Sequence, residues 1–232
     1  MALPLIPVHP GSYADMLRSL TIYLILFIVV SCQRKDETPP ELTMLGPASI
    51  QLLIGDPYTD QGATATDNKD GDLTSRIDVA GSVNPLQAGY YSINYSVSDF
   101  SGNESKAVRV VTVSNTAAFF DGMYSVRDSV WGGGITVYSD EVNYSTITND
   151  RIVVTKFANQ LNAAVYMDYY SVGQSVNVPN QTLICGSVPL SKTFSTPSPG
   201  TVISTSPLKF VINYQMVVGM ATTSATATYT KQ

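Results

Sequence analysis

From Pro40 onward the chain consists of short strand-like segments separated by turn residues, and this pattern constrains the fold more than any other feature. Tyr90–Asp99 alternates between apolar and polar residues, so every second side chain faces the same side of a strand. Ser101–Asn103 marks a turn, and Lys106–Val113 supplies a partner strand. Because no segment after Pro40 carries a sustained helical period, the sequence predicts an all-β protein.

Motifs within residues 40–114 resemble those of one family of bacterial domains. Gly55–Ala65 reads G-x-x-Y-x-D-x-G-A-x-A, Asp67–Thr74 reads D-N-x-D-G-D-L-T, and Tyr95–Asp99 is followed by Gly102-Asn103. The segment resembles the bacterial surface immunoglobulin-like domain. The resemblance implies a seven-stranded immunoglobulin-like β-sandwich over residues 40–115, which serves as a spacer or adhesive module and has no catalytic role.

Residues 116–232 form a second β-rich segment that is long enough for a domain of its own. Its Gly-x-Tyr opening and its Val176–Gln181 segment resemble the lipocalin-like C-terminal domains of Bacteroidota lipoproteins, which typically have no known function. The resemblance implies an antiparallel β-barrel, and a second sandwich is the alternative. The predicted strands are Gly122–Val126, Ile135–Tyr138, Arg151–Phe157, Ala163–Tyr170, Ser175–Val178, Thr182–Val188, Lys209–Val218 and Thr222–Thr230.

The segment before these domains has the features of a signal peptide. Arg18 precedes the apolar run Leu20–Val30, which is shorter than the roughly 20 residues that a spanning helix needs. Val29–Cys32 resembles the lipobox of bacterial lipoproteins, in which the chain is cut before a cysteine that then carries lipid. We therefore expect residues 1–31 to be a leader with its true start at Met16, and Cys32 to be lipidated.

Residues 32–39 are predicted to be a tether. Lys35, Asp36 and Glu37 resemble the short export signal of Bacteroidota surface lipoproteins, and this resemblance implies a lipid-anchored protein on the outer membrane that faces the cell exterior. The alternative is a solvated tether on a protein that faces the periplasm. Thr38–Pro40 is expected to stiffen the exit into the first domain, because proline favours an extended chain.

Composition excludes several classes of function. The single histidine, His9, lies in the predicted leader, so the mature chain has neither a Ser-His-Asp arrangement nor histidine metal ligands. A net charge of −5 without a Lys/Arg run argues against nucleic-acid binding. Cys185 lies in an apolar strand, where a free cysteine behaves as a small buried hydrophobe. We expect no catalytic residues; a hydrolase that uses paired carboxylates is the weaker alternative.

The acidic turn at Asp67, Asp70 and Asp72 is the candidate cation site. Carboxylates at alternate positions around Gly71 resemble part of a calcium loop. Position 78 offers an aspartate where an EF-hand needs glutamate, and such residues also cap their own turns. We therefore expect no resident cofactor or metal, with calcium at these three residues as the alternative.

Aromatic side chains are the candidates for ligand binding. Trp131 precedes the glycines at 132–134, and Tyr166, Tyr169 and Tyr170 lie close together on one strand. Tyr166 and Tyr170 are predicted to share a face, with Tyr169 on the other. Tryptophan and tyrosine combine a flat apolar face with a polar tip, which suits sugar rings and protein interfaces.

These observations predict a non-enzymatic, lipid-anchored surface protein in which an immunoglobulin-like spacer presents a C-terminal ligand-binding domain. A polysaccharide is the expected ligand, and a structural or adhesive protein with a protein partner is the alternative. Asp128–Val130 also resembles the Asp-Ser/Thr-apolar pattern of Bacteroidota O-glycosylation, which makes Ser129 a candidate modification site.

Overall fold

The computed structural model describes residues 35–232 and, before them, only Tyr13 and Arg18. The lipidation candidate Cys32 and the apolar run of the predicted signal peptide lie outside the described residues. Within the described part, none of the helices has the length and apolar character needed to cross a membrane.

The described residues form an all-β structure, which confirms the predicted fold class. The strands are β1 (Glu41–Met44), β2 (Ser49–Leu53), β3 (Ala63–Asp67), β4 (Gly71–Asp72), β5 (Asp78–Ala80), β6 (Gly89–Ser98), β7 (Glu104–Ser114), β8 (Gly122–Val130), β9 (Ile135–Tyr144), β10 (Arg151–Val154), β11 (Val165–Tyr170), β12 (Ser175–Asn177), β13 (Gln181–Cys185), β14 (Leu190–Thr205), β15 (Leu208–Val218) and β16 (Ala221–Lys231). Short 3₁₀ helices span Thr74–Arg76, Ala118–Phe120 and Phe157–Asn159.

Strands β1 to β7 form the immunoglobulin-like module as two sheets, in the orders β1-β3-β4 and β2-β7-β6-β5. The alternation predicted for β6 is present, because Ile93, Tyr95 and Val97 are buried while the residues between them are more exposed. The side chains of Ala65 and Leu73 pack with Val97 in the module's core. One face of each sheet is thus buried, as a sandwich requires.

The remaining strands build a closed antiparallel barrel of eight strands, in the order β12-β11-β10-β9-β8-β16-β15-β14. The ring closes where Ser175 and Val176 of β12 pair with Thr201 and Gly200 of β14. Strand β13 pairs with an earlier stretch of β14 and lies outside the ring. Of the two architectures that the sequence left open for this segment, the structure therefore has the barrel.

The barrel interior is packed with side chains, as is usual for a barrel of eight strands. The ring centroids of Phe210 and Tyr229 stack 4.7 Å apart, and those of Phe157 and Tyr214 also lie 4.7 Å apart. Such ring pairs contribute about 0.5–1.5 kcal/mol each beyond the area that they bury. Because side chains fill the interior, a ligand would bind more easily on the outer surface of the barrel than inside it.

Gly200 allows the ring to close. A Cβ atom at this position would collide with the carbonyl oxygen of Val211 and would lie 3.1 Å from that of Val176. Pro197 and Pro199 precede it in a stretch of β14 whose pairing with β15 shifts register. These shifts are bulges, in which a strand tolerates proline because the ladder hydrogen bond is already missing.

Asn115 joins the module to the barrel. Its side chain is buried, and Nδ2 donates hydrogen bonds of 2.8 Å to the carbonyl oxygens of both Ser145 and Thr148. The backbone N–H of Ala88 also donates to the carbonyl of Thr146, at 2.7 Å. The module and the segment that connects it to the barrel therefore donate hydrogen bonds to the loop between β9 and β10.

Candidate functional site

A groove lies on the outside of the barrel next to Trp131. Trp131 directly follows β8, and its backbone N–H donates to the carbonyl of Ser224 at 2.9 Å, which extends the pairing with β16. The side chain points outward and is 88% exposed. A tryptophan this exposed is unusual, because the residue is highly buried on average.

Strand register explains how the floor of the groove forms. Ser224 pairs with Gln215 of β15, so Trp131, Ser224 and Gln215 form one outward-facing row. The next row contains Ser129, Thr226 and Asn213. Three strands at about 4.8 Å spacing give a floor that is roughly 10 Å across.

The groove has a volume of about 440 Å³ and an uncharged lining. Pro197 of the bulged strand β14 forms the side opposite Trp131, and the Thr226 hydroxyl donates to the Asn213 side-chain oxygen at 2.8 Å. Every described residue that lines the groove is neutral: Ser129, Trp131, Pro197, Asn213, Tyr214, Gln215, Ser224, Ala225 and Thr226. The groove therefore offers hydrogen bonds and an apolar ring without a charge.

A second depression of about 350 Å³ borders the same tryptophan. It is lined by Gly132 and Gly133 of the loop and by Thr222 and Thr223 of β16, in addition to Trp131. Because glycine carries no side chain, a ligand can approach the backbone here closely. The indole is thus accessible from two neighbouring depressions.

The three tyrosines of β11 have different environments. The guanidinium of Arg151 lies 4.2 Å from the ring centre of the half-buried Tyr166, and Tyr170 is 51% exposed. Tyr169 points inward and makes edge contacts with the rings of Phe119 and Phe120, at 5.3 and 5.1 Å. The predicted division of faces is present, but Tyr169 is packed in the interior and is not available to a surface ligand.

The structure does not bring Trp131 and these tyrosines together. Two strands, β9 and β10, separate β8 from β11. Tyr166 pairs with Val153, and Val153 pairs with Asn143 near the end of β9. Trp131 lies beside the beginning of β9, so the tyrosines occupy another part of the barrel surface.

Ser129 lies in the floor of the groove. It is partly exposed, whereas its neighbour Asp128 points into the barrel and is buried. A glycan attached to Ser129 would occupy the groove and exclude another ligand. Whether the residue is modified stays a prediction.

A buried polar cluster lies behind the groove. The Tyr214 hydroxyl donates to Asp128 Oδ2 at 2.7 Å, while Oδ1 of Asp128 has no hydrogen-bond donor. Burial raises the pKa of Asp128 above its usual value, although the bond from Tyr214 partly opposes this. Burial also raises the pKa of Asp140, which accepts hydrogen bonds from the backbone N–H groups of Thr155 and Lys156. Both carboxyl groups are enclosed, and neither lines the groove.

The aspartates of the acidic turn mostly cap backbone groups. Asp67 Oδ1 accepts hydrogen bonds from the N–H groups of Lys69 and Asp70, at 2.8 and 2.9 Å. Asp70 accepts one from the N–H of Phe100 at 2.7 Å. Asp72 accepts one from the N–H of Thr74, and the hydrogen bonds from Thr74 lower the pKa of this carboxyl. These three residues do not converge on one point, and Asp67 instead approaches two acids from other segments.

The predicted export signal is only partly exposed. Lys35 and Glu37 are exposed, whereas Asp36 is 5% exposed and packs against the immunoglobulin-like module. The carbonyl oxygen of Asp36 accepts a hydrogen bond of 3.1 Å from the Asn103 side chain. The end of the predicted tether is thus part of the module's structure.

The signature residues of the module form a second buried network. Asp60 forms an ion pair with Arg109, which is fully buried, and accepts hydrogen bonds from Tyr58 and Tyr95. Arg109 also donates to the carbonyl oxygens of Leu45 and of two other residues. The motif residues Tyr58 and Asp60 therefore hold the sandwich together.

Comparison with family models identifies the first of the two units. Residues 42–113 match the family described as bacterial surface protein, Ig-like domain, which confirms the resemblance and fits a role at the cell surface. A comparison with curated proteins finds no match.

Solved structures with a detectable likeness are distant. One is a lipoprotein from Bacteroides thetaiotaomicron, with 15% identity and a TM-score of 0.33 over 83% of this chain and 100% of that one. Another contains CBM51-2 in complex with GlcNAc and INT domains from Clostridium perfringens ZmpB, with 12% identity and a TM-score of 0.28. This second match covers 83% of the present chain and 44% of the other. Likenesses at this level assign no function.

Proposed function

We propose that the chain is a non-enzymatic, lipid-anchored surface protein whose barrel binds a neutral glycan in the groove beside Trp131. The observation that carries the proposal is an indole that is 88% exposed above an uncharged, hydrogen-bonding floor. The immunoglobulin-like module is the spacer that holds the barrel away from the membrane, and Cys32 is the anchor.

The chemistry of the groove fits a sugar. A pyranose ring has a face of C–H groups, which pack on an indole, and a rim of hydroxyl groups. These hydroxyls match the side-chain amides of Asn213 and Gln215 and the hydroxyls of Ser224 and Thr226. Covering one face of an indole removes roughly 100 Å² of apolar surface from water, which contributes about 2.5 kcal/mol. The absence of charge among the lining residues disfavours a phosphate or carboxylate ligand.

The chain contains a single tryptophan, so its fluorescence is a direct test of the proposal. We expect a neutral polysaccharide, added to the detergent-solubilised full chain, to shift the emission to shorter wavelength and to protect Trp131 from acrylamide quenching. A glycan array identifies which polysaccharide to use. Absence of both effects with every array hit would contradict a site at Trp131.

Two variants locate the site. Trp131→Ala is expected to lower glycan affinity at least tenfold by calorimetry, because few aromatic anchors carry most of the energy of such contacts. Its melting temperature should be unchanged, since an exposed side chain contributes little to packing. Tyr170→Ala is the matched control, because that ring is also exposed but lies on β11. If Tyr170→Ala lowered the affinity and Trp131→Ala did not, the binding site would lie on β11 instead.

A protein partner is the second candidate, and one observation favours it. Ile135 and Val137 are 56% and 65% exposed on the outer face of β9, beside Ser129 and Arg127 of β8. An adhesive contact that covers these apolar side chains would be weakened by Val137→Ser, whereas glycan binding in the groove would not. The anchor is tested separately, because Cys32→Ala should abolish incorporation of labelled palmitate.

A further inference from the structure

Three acidic side chains from separate segments meet at one end of the immunoglobulin-like module. Asp36 lies just before β1, Asp67 ends β3, and Asp99 follows β6. One carboxylate oxygen of each lies within 4.8 Å of those of the other two. The cluster is remote in sequence from the groove and takes no part in the proposed glycan binding, although its effect on the tether rests on the anchor proposed at Cys32.

Backbone and side-chain donors fix the position of each carboxylate. Asp99 accepts hydrogen bonds from the backbone N–H and the Nδ2 of Asn103, at 2.8 and 2.6 Å. Burial raises the pKa of Asp99, but the hydrogen bonds from Asn103 and from neighbouring backbone groups outweigh it and lower the pKa. Asp36 Oδ1 accepts from the N–H of Thr38 at 3.1 Å. The three groups are thus held in place before any ligand arrives.

Two buried oxygens of the cluster lack a hydrogen-bond donor. These are Oδ2 of Asp36, whose side chain is 4% exposed, and Oδ2 of Asp67. The Lys69 ammonium lies 3.7 Å from Asp36 Oδ2, which is an ion pair at longer range than a hydrogen bond. Leaving buried charged oxygens without donors is costly. The meeting of three carboxylates also concentrates negative charge at this point.

We propose that Asp36, Asp67 and Asp99 bind a calcium ion. Calcium is coordinated by oxygen at about 2.3–2.6 Å, so two of its ligands lie up to about 5 Å apart, which agrees with the spacing of these oxygens. Magnesium demands near-ideal octahedral geometry at about 2.0–2.1 Å and gives up its water reluctantly, so a preformed group of three carboxylates suits it less well than calcium. Water completes the six to eight ligands that calcium takes.

Such a site would fix the end of the tether to the module. Asp36 is the ligand that the tether supplies, and its carbonyl oxygen and that of Thr38 already accept hydrogen bonds from Asn103. Calcium would join the same segment to β3 and to the turn after β6. The orientation of the module relative to its anchor would then depend on extracellular calcium.

Calorimetric titration of the EGTA-treated, detergent-solubilised full chain with calcium chloride tests the proposal. We expect one ion per chain, with a dissociation constant of about 10⁻⁴–10⁻³ M as in extracellular modules. Hydrogen exchange should slow in peptides that cover residues 35–40 and 99–103. Magnesium chloride at the same concentrations should do neither.

Asp36→Asn should weaken calcium binding at least tenfold, because it removes one charged ligand without changing the shape of the side chain. Glu37→Gln is the matched control, since this neighbouring acid is exposed. Asp72→Asn distinguishes the proposed site from a calcium loop at the acidic turn, because Asp72 belongs only to the latter. This variant should bind calcium as the wild type does. Asp67→Asn provides a second ligand variant, and slow exchange in β6 and β7 shows that each variant is folded.

The proposal is wrong if the wild type binds no calcium, or if magnesium protects the same peptides equally. It is also wrong if Asp36→Asn and Asp67→Asn, when folded, bind as the wild type does. Loss of binding in Asp72→Asn with retention in Asp36→Asn would return the site to the acidic turn.

Discussion

Asp60→Asn is expected to destabilise the immunoglobulin-like module, because the substitution removes the carboxylate that is paired with a buried guanidinium. Arg109 is fully buried, and Asp60 is 26% exposed. The phenol of Tyr95 donates to both oxygens of Asp60, at 2.7 and 2.6 Å, and its ring lies 5.6 Å from the guanidinium carbon. Without the negative charge, Arg109 keeps its carbonyl acceptors but loses its counter-ion.

The expected cost is about 2–3 kcal/mol in the free energy of unfolding. Removing one partner of a buried ion pair costs about 3–5 kcal/mol, and the partial exposure of Asp60 reduces this because water screens the charge. Asparagine retains an oxygen that accepts from Tyr95, so the shape of the network is preserved. Asp78→Asn is the matched control, since Asp78 is exposed on β5, and it should cost less than about 0.5 kcal/mol.

Hydrogen exchange as a function of urea measures this loss locally. Peptides from β6 and β7 report on the module, and peptides from β15 and β16 serve as an internal reference. Arg109→Met should lower the free energy of unfolding of the module by less in an Asp60→Asn background than in the wild type. The reason is that paired residues are energetically coupled. A loss below about 0.5 kcal/mol in Asp60→Asn, or additive costs in the double variant, would refute the argument.

The same variant has a pH signature. Burial raises the pKa of Asp60, but the hydrogen bond from Tyr95, the charge of Arg109 and the hydrogen bond from Tyr58 outweigh it, and the pKa is lowered. A lowered pKa gives stability that is present above the unfolded pKa of about 3.9 and is lost as the pH falls through the folded pKa. The module of the wild type should therefore weaken below about pH 4, and Asp60→Asn should remove part of that dependence.

Two further predictions concern the barrel. Gly200→Ala should cost about 1–3 kcal/mol as overpacking and should accelerate hydrogen exchange in β12 and β14 but not in β6; unchanged exchange would show that the seam can relax. The raised pKa of Asp128 means that the folded barrel favours the neutral acid, so this group makes stability fall as the pH rises from about 4 towards the folded pKa. Asp128→Asn should therefore flatten the slope of the barrel's unfolding free energy above about pH 4 in urea titrations, and an unchanged slope would contradict this.

Local sequence patterns predicted the fold of the module well, because the residues that specify its strands and turns are close in sequence. The alternation of β6, the turn that follows it and the dense motifs are each contained within about a dozen residues. The environment of Arg109 could not be predicted in this way. Its partner Asp60 is 49 residues away, and the two meet only after the sheets have packed. The same applies to Asp36 and Asp99, whose proximity depends on the folded sandwich.

The barrel shows where local reading fails. Pro197, Pro199 and Gly200 are typical of a loop, and no strand was predicted there, yet β14 continues through them by means of bulges. Those bulges place Pro197 beside the groove. Trp131 was identifiable from its glycine-rich context, but the floor residues on β15 and β16 were not, because their register with β8 is a long-range property.

Buried polar side chains stabilise both the module and the barrel. In the module, the signature residue Asp60 accepts a hydrogen bond from Tyr58 and forms an ion pair with the buried Arg109. These signature residues therefore stabilise the fold and do not form a recognition site. In the barrel, the buried acid Asp128 is occupied with Tyr214, and the interior is packed. Trp131, by contrast, is 88% exposed on the outer surface, where it borders two depressions. Substitutions at Trp131 and at the floor residues beside it should therefore alter the groove without a loss of stability, which is the property that we expect if the proposed recognition site lies there.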